Sequence, residues 1–430
     1  MDNADTIFAL SSGTPPAAIA VIRISGIRAL SAVKELAGSL PASRRASLRR
    51  LSNSNGVVLD QALVVIFPGP NTATGEDLAE LHLHGGRAVV RGVESALSTI
   101  PGLRRAEPGE FTRRAFINGR IDLNEAEGLA DLLVAETEWQ RRGALQMAGG
   151  AFSKAIESWR EDLLGLSGTV EALLDFSDED DVSPEENSNI SMRCRNLHDV
   201  IQLQLSVPSA QKLHEGLRVV IAGPPNSGKS TLLNALVSRE AAIVSDIAGT
   251  TRDLIDVPVA FEGVPFILTD TAGLRDNTND QIESIGIERA EAAIDAADIV
   301  LWLGGENMGP RHASSLEIEA KSDDPLHTTK SASALKLSAK TTDGLAELIQ
   351  WLTATAKTLL PPPDSFAINA RQAALLSDTA RSLIAAANAT DLLVTAEELR
   401  QARLRLDALT GRASTEDMLD ALFGRFCIGK

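Results

Sequence analysis

Leu217-Arg218-Val219-Val220-Ile221-Ala222 runs straight into Gly223-Pro224-Pro225-Asn226-Ser227-Gly228-Lys229-Ser230, and Thr231 to Leu236 then reads as helix. A short apolar run of this kind makes a buried parallel strand. The residues after it match G-x-x-x-x-G-K-S, so strand, glycine loop and helix stand in the order a phosphate loop requires. Its glycines let backbone N–H groups, with those of Ser227, Gly228 and Thr231, turn toward phosphate oxygens. Lys229 neutralises the β and γ oxygens, and the Ser230 hydroxyl is placed to ligate Mg²⁺ at the helix N-terminus.

Downstream, Asp246-Ile247-Ala248-Gly249-Thr250-Thr251-Arg252-Asp253 supplies a loop whose threonines can reach Mg²⁺ and a γ-phosphate, and Asp270-Thr271-Ala272-Gly273 follows an apolar strand. These read as the two switches of a GTPase. Thr251 is expected on Mg²⁺, Asp270 on Mg²⁺ through water, and the Gly273 amide on the γ-phosphate. Leu337-Ser338-Ala339-Lys340 resembles the loop that contacts guanine from above. Where Asn-Lys-x-Asp is usual, this chain has Ala320-Lys321-Ser322-Asp323, which lacks the asparagine and leaves Asp323 to pair with the guanine N1 and N2 hydrogens. Leu274 stands where many small GTPases carry the glutamine that orients water. Leucine cannot do that, which leaves Asn226 and Glu283 as candidates for positioning the water and offsetting developing charge.

Working outward, residues 1–118 mix β-branched runs (Ala18 to Ile24, Ala62 to Phe67) with turn signals such as Pro68-Gly69-Pro70, as a compact α+β domain would. From Asp122 to Leu174 the texture turns to Ala, Leu and Glu, and Leu129, Leu132, Leu133 and Ala135 are spaced for one face of a helix. Helical texture extends to about Glu215 and returns over 370–422, after strands alternating with helices and a Pro361-Pro362-Pro363 linker. The expected fold class is therefore multidomain, α+β and α/β. An N-terminal α+β domain (1–118) precedes a discontinuous all-α helical domain (119–215 and 364–430), with a P-loop Ras-like G domain (216–363) inserted at a surface site.

Composition bounds the remaining possibilities. A chain of 430 residues that is 44% hydrophobic exceeds one ordinary core and is neither disordered nor fibrous. It has two cysteines, Cys194 and Cys427, and no apolar N-terminal run, so a cytoplasmic, reducing compartment is expected. No uninterrupted apolar stretch approaches the ~18 residues of a membrane span. The net charge is −17, yet residues 1–120 hold 14 Lys and Arg against 10 Asp and Glu, so the acidic excess lies beyond them. That balance excludes a uniform nucleic-acid glove but leaves local arginine clusters, such as Arg44, Arg45, Arg49 and Arg50, as contacts. The Asp178-Glu179-Asp180-Asp181 run reads as a solvated loop.

Further motifs carry a resemblance that spans nearly the whole chain. They are Asp5-Thr6-Ile7, Val21-Ile22-Arg23-Ile24-Ser25-Gly26, Thr74-Gly75-Glu76-Asp77, Glu80, His84-Gly85-Gly86, Gly109-Glu110-Phe111-Thr112, Arg114-Ala115-Phe116, Asn118-Gly119 and the terminal Phe426-Cys427-Ile428-Gly429-Lys430. Together with the phosphate loop and switches, they make the chain resemble the MnmE (TrmE) family of tRNA-modification GTPases. The resemblance implies that the first domain binds a tetrahydrofolate derivative (5-formyl- or 5,10-methylene-tetrahydrofolate) and dimerises, with Arg23, Glu80, Arg120 and Lys430 around the folate. It implies K⁺ held by Asn226, Ser245, Ile247 and Thr250, pairing of G domains, and Glu283 as the residue orienting the attacking water. It further implies a homodimer that joins the FAD-dependent protein MnmG in a heterotetramer. Together they add an aminomethyl or carboxymethylaminomethyl group to C5 of the wobble uridine of certain tRNAs. Cys427, an isolated cysteine that would otherwise read as a packing residue, lies in the tail the resemblance puts beside the folate and is carried as a catalytic candidate. Cys194 reads as structural.

The family's glycine-rich segment before the first strand is replaced here by Ser12-Gly13-Thr14-Pro15-Pro16-Ala17-Ala18, and Arg120 stands where lysine is also found. Two other readings compete: a ribosome-assembly GTPase, which would add an RNA-binding module absent from this sequence, and a folate-binding protein with a vestigial G domain, which draws on Ala320 alone. Intact Lys229, Ser230, Thr251 and Asp270 oppose the second.

Overall fold

The computed structural model describes residues 5–175, 184–239, 256–271, 290–327, 329–330, 334–363, 365–413, 416–424 and 426–429. They form a mixed α/β protein of two compact units, residues 1–130 with 407–430, and residues 131–406.

The first unit is built on a six-stranded sheet. Its strands are β1 (Thr6–Leu10), β2 (Ile19–Ser25), β3 (Ser47–Ser52), β4 (Val58–Phe67), β5 (Leu78–His84) and β6 (Leu103–Arg105), in the order β3-β4-β5-β2-β1-β6. All neighbours are antiparallel except β1 and β6. On β5 the alternation is clean: Ala79, Leu81 and Leu83 are buried while Glu80 and His82 are half-buried and His84 is exposed. The period of two sends the apolar set into a core with Ala32, Val33, Val90, Val93 and Leu97 of the helices Ala29–Ala37 and Arg87–Ser98. It leaves Glu80, His82 and His84 on the other face.

A second core of this unit joins residues far apart in sequence. Leu123 and Ala126 pack with Leu419, Phe423 and Phe426 near the C-terminus. The helix Leu123–Val134 thus buries its N-terminal half, and Leu133, expected on the buried face, is 42% exposed, while Ala135 lies past the helix end. Periodicity told which residues share a face; the aromatic side chains that arrive from residues 419–426 decide how much of it is covered.

In the second unit, β7 (Leu217–Ala222), β8 (Asp256–Phe261), β9 (Val264–Asp270), β10 (Ile299–Trp302), β11 (Ser315–Glu319) and β12 (Leu335–Lys336) form a sheet in the order β12-β11-β10-β7-β9-β8. It is parallel apart from the β8–β9 hairpin. That hairpin turns on Glu262 and Gly263, both at positive φ (51° and 78°), as a two-residue type I′ turn requires. β7 occupies the bounds expected of it and, with β9 on one side and β10 on the other, is buried at every position but Arg218. The chain leaves β7 toward one side of the sheet and later returns to the other, so a crevice opens at its carboxyl end.

The helices of this unit include Glu138–Ala148, Ala151–Asp175, Pro184–Leu205, Ala210–Glu215, Lys229–Arg239, Leu345–Leu359 and Ala370–Asn388. Pro184–Leu205 lies along Ala370–Asn388, where the Ser191 hydroxyl donates to the Ala387 carbonyl (2.6 Å), and Phe152 packs on Phe366 with centroids 5.3 Å apart. Among the described residues, no helix is long and apolar enough to cross a membrane.

Candidate nucleotide and folate sites

The crevice at the end of β7 holds the phosphate loop. Gly223 (φ 153°), Asn226 (φ 61°) and Gly228 (φ 101°) all take positive φ, which curls the backbone around a concavity and turns its N–H groups inward. The helix begins at Lys229, two residues before the expected start, so the loop ends on a helix N-terminus. Lys229 is buried, and its ammonium donates to the carbonyls of Gly223 (3.1 Å) and Pro224 (3.0 Å), which holds it across the loop. The Ser227 hydroxyl is buried with no hydrogen-bond partner among the described residues. A buried, unpaired hydroxyl costs about 1–3 kcal/mol, and in this place it fits a phosphate oxygen as its partner.

Register supplies the metal pair. Ile221 of β7 is paired with Asp270 of β9, so the carboxylate sits beside the loop, and the Ser230 hydroxyl donates to Asp270 Oδ2 at 2.5 Å. Two hard oxygens next to a phosphate cradle suit Mg²⁺. Thr271 donates its hydroxyl to the Ile221 carbonyl (3.0 Å), tying the end of β9 to the central strand.

Two clefts flank the loop. One, of about 470 Å³, is lined by Gly223, Pro224, Pro225, Lys229, Thr271 and Trp302, among others. The other, of about 310 Å³, lies between Gly228, Thr231, Ala320, Lys321, Asp323 and Lys340. In the second, Ser338 is buried and its hydroxyl donates to Asp323 Oδ1 (2.6 Å), a bond that, first among its surroundings, holds the Asp323 carboxyl below its usual range. Lys321, at φ 59°, reaches across to donate to the Asn226 carbonyl (2.6 Å), joining the Ala320–Asp323 loop to the phosphate loop. Ala339 and Lys340 line the same cleft. The structure thus gathers Asn226, Ser227, Gly228, Lys229, Ser230, Thr231, Asp270, Thr271, Asp323, Ser338, Ala339 and Lys340 at the phosphate loop and the two clefts beside it. Ser245, Asp246, Ile247, Ala248, Gly249, Thr250, Thr251, Ala272, Gly273 and Glu283 lie outside the described residues.

In the first unit, Arg23 of β2 and Glu80 of β5 are register partners, and the guanidinium meets the carboxylate at 3.0 Å. His82 approaches the other oxygen of Glu80 (3.3 Å), and Arg23 stacks over the Phe111 ring, 5.9 Å from its centroid. Arg120 lies on another element: it is exposed, and its stem packs near Gly75, in a loop that Asn118 holds by donating to the Thr74 carbonyl (2.7 Å). The Ser25 and Thr74 hydroxyls hydrogen-bond at 2.6 Å, linking that loop to β2.

The C-terminal segment is threaded into the same unit. Pro108 and Ile428 form a β-bridge, and a Cβ on Gly429 (φ 94°) would lie 2.1 Å from the Leu10 carbonyl oxygen, so only glycine fits. Cys427 is exposed rather than packed, whereas Cys194 is buried in its helix. Lys430 lies outside the described residues. Sequence reading did not single out Phe111, Ser25 or Lys321 as site residues, although each lies inside a motif it had quoted.

Comparison with known proteins accords with this geometry. A family model described as "MnmE helical domain" matches residues 123–427, and one described as "GTP-binding protein TrmE N-terminus" matches residues 6–120. The chain is 59% identical over 429 residues to the tRNA modification GTPase MnmE of Erythrobacter litoralis, covering 99% of this chain and 100% of the relative. It is 56% identical over 435 residues to the protein of that name from Novosphingobium aromaticivorans, with 99% and 100% covered, and 47% identical over 433 residues to that of Zymomonas mobilis, again with 99% and 100% covered. With both family models and full-length relatives in agreement, the chain belongs to the MnmE family of tRNA modification GTPases.

Proposed function

We propose that this protein hydrolyses GTP as one component of the complex that installs an aminomethyl or carboxymethylaminomethyl group at C5 of the wobble uridine in certain tRNAs. The observation that carries the nucleotide half is the placement, after the carboxyl ends of neighbouring strands of one sheet, of Lys229, the Ser230–Asp270 pair and the Asp323–Ser338 pair. Lys229 neutralises β- and γ-phosphate oxygens, Ser230 and Asp270 hold Mg²⁺, and Asp323 accepts from the guanine N1 and N2 hydrogens. Mg²⁺ held by the Ser230 and Asp270 oxygens would supply charge withdrawal from the phosphate oxygens. Ser227 donates to a phosphate, and the backbone N–H groups of the loop stabilise charge as it develops on the transferred group. Glu283 orients the water, and Asn226, Ser245, Ile247 and Thr250 would hold K⁺, whose charge would favour pairing of two G domains.

The remainder rests on family membership and on the Arg23–Glu80 pair. A discontinuous helical domain, residues 119–215 and 364–430, carries the inserted G domain of residues 216–363. The domain of residues 1–118 dimerises and binds a tetrahydrofolate derivative as the one-carbon donor. Arg23 and Arg120 meet its glutamate tail, Glu80 accepts from its pterin ring, and Cys427 and Lys430 lie beside it. The partner is an FAD-dependent MnmG-type protein, and a heterotetramer acts on tRNA.

The test is hydrolysis of GTP and ATP by the purified chain at fixed Mg²⁺, with K⁺ exchanged for Na⁺ at equal ionic strength. GTP-selective turnover that collapses in Na⁺ is expected. Equal turnover of ATP would remove Asp323 as base reader, and equal rates in the two salts would remove the K⁺ site.

A further inference from the structure

The base loop lacks the asparagine that would begin its motif, yet it is held in place, in part by residues that belong to no motif. Ala320-Lys321-Ser322-Asp323 leaves the end of β11 with Lys321 in a left-handed conformation. It then winds through two backbone turns: Asp324 N–H donates to Lys321 O (2.9 Å) and His327 N–H to Asp324 O (3.0 Å). The His327 ring folds back over this turn. Its Nδ1 lies 2.6 Å from the Asp324 carbonyl oxygen and its Nε2 lies 2.9 Å from Glu319 Oε1. Glu319 is the last residue of β11, directly before Ala320, and its carboxylate is fully buried. Its other oxygen accepts the Lys330 N–H at 2.8 Å. One imidazole therefore bridges the start of the base loop and its far end.

Both ring nitrogens face acceptors, a carbonyl and a carboxylate. A neutral imidazole carries a single N–H, so only the imidazolium donates to both. We propose that His327, as a cation, is a positioning residue for the guanine site: it ties Asp324 to Glu319 and so holds Lys321 and Asp323 against the nucleotide, and affinity falls when it loses its proton. This deepens the reading of Asp323 as base reader and rests on it.

The groups around the ring set the direction. Glu319 from β11 and the Asp324 carbonyl favour the cation, and Asp323 lies nearby on the same loop. Lys336 from β12 opposes it, with its ammonium 3.4 Å from Glu319 Oε1. Beyond Glu319, the Lys330 ammonium is buried and 3.9 Å from Glu317, with Glu306 also acting on it. The balance holds His327 above its ordinary value, through the Asp324 carbonyl first and Glu319 next. Glu319 is held below its usual range, first by the Lys330 N–H, and Asp323 below its own by Ser338. The bridge is consequently complete below the His327 value and is lost as pH rises through it, while both carboxylates stay ionised across that window.

The test uses the full chain with Mg²⁺, K⁺ and GDP. Calorimetric affinities of the wild type, His327→Gln and Asp323→Ala are compared between about pH 5.5 and 8.5; titration of GDP itself is common to all and cancels in ratios. Wild type is expected to bind about tenfold tighter than His327→Gln at the acid end, the worth of one hydrogen bond to a charged group, and within about twofold at the alkaline end. A ratio that stays constant with pH overturns the proposal, and if Asp323→Ala still abolishes GDP binding then the base reader stands and only His327 falls. Should neither wild type nor variant bind GDP, both readings fall together. If His327→Gln does not fold, the wild type decides alone: by linkage, GDP should raise the His327 titration midpoint followed by imidazole NMR, and an unmoved midpoint overturns the proposal.

Discussion

Arg23 and Glu80 stand directly opposite one another in the β2–β5 ladder, joined at 3.0 Å, with Phe111 under the guanidinium and His82 on the second carboxylate oxygen. The pair is preorganised on the sheet face left free of the helix-packed core, so that a ligand meets charges already fixed in place. Replacing Glu80 with Gln or Arg23 with Ala is expected to weaken binding of 5-formyl-tetrahydrofolate by about ten- to a hundredfold, the worth of one charge-assisted hydrogen bond. Calorimetry measures this, and wild-type affinity in both variants would remove the folate from this face.

Lys229 has its charge inside the phosphate loop before any ligand arrives. Lys229→Ala should lower the rate of phosphate release from GTP by at least about a hundredfold, because a preorganised positive group is lost where charge develops. Ser230→Ala should instead raise the Mg²⁺ concentration needed for half-maximal rate, since Asp270 alone remains of the 2.5 Å pair.

Asn226 takes φ 61° and its carbonyl accepts from Lys321, and its side-chain Oδ1 is the further oxygen it can offer a cation. In Asn226→Ala the ratio of hydrolysis rates in K⁺ and Na⁺ should approach one. A ratio as large as that of the wild type would assign the cation to other oxygens.

Glu110 is buried between two arginines: Arg104 donates at 2.5 Å and Arg114 at 3.1 Å, and Arg114 also reaches Glu76. Burial pushes the Glu110 carboxyl up, but Arg104, the Glu107 N–H and Arg114 together outweigh it and hold the group below its usual value. Glu110→Gln should cost about 1–3 kcal/mol in urea unfolding, because the buried Arg114 keeps only Glu76 as its anion and Arg104 only Asp5. A depressed carboxyl contributes stability that is fully present above its unfolded value and is lost as pH falls through the folded one. The difference between wild type and variant should therefore be present at pH 7 and shrink in acid.

The two cysteines should separate by reactivity. The Cys194 thiol is buried and pushed up to about 11, first by desolvation, while Cys427 is exposed. Iodoacetamide at pH 8 should label Cys427 in the native protein and reach Cys194 only after denaturation, as read by peptide mass spectrometry.

Legibility followed sequence distance. β7 and the loop after it were plain because a contiguous apolar run, two glycines, a lysine and a serine make a complete local unit. Helical texture from Asp122 to Leu174 was also plain, but the buried end of the helix at 123–134 was not, since Phe423 and Phe426 cover Leu123 and Ala126 rather than Leu133. Nothing local announces His327, which matters only because the turn from Asp324 carries it back onto Glu319.

The sequence by itself determined the phosphate loop and the family, because the loop depends on spacing within a few residues, where backbone geometry is short-range, and the family on many such short motifs read together; the residues proposed around the folate came from that resemblance. Tertiary structure decided which of those residues meet. Strand register set Arg23 on Glu80 and Asp270 beside the loop that ends in Ser230, and loop packing set Ser338 on Asp323 and His327 on Glu319. A one-residue slip in either sheet would turn those side chains to the opposite face, and register is fixed by burial over the whole sheet, which no local pattern contains.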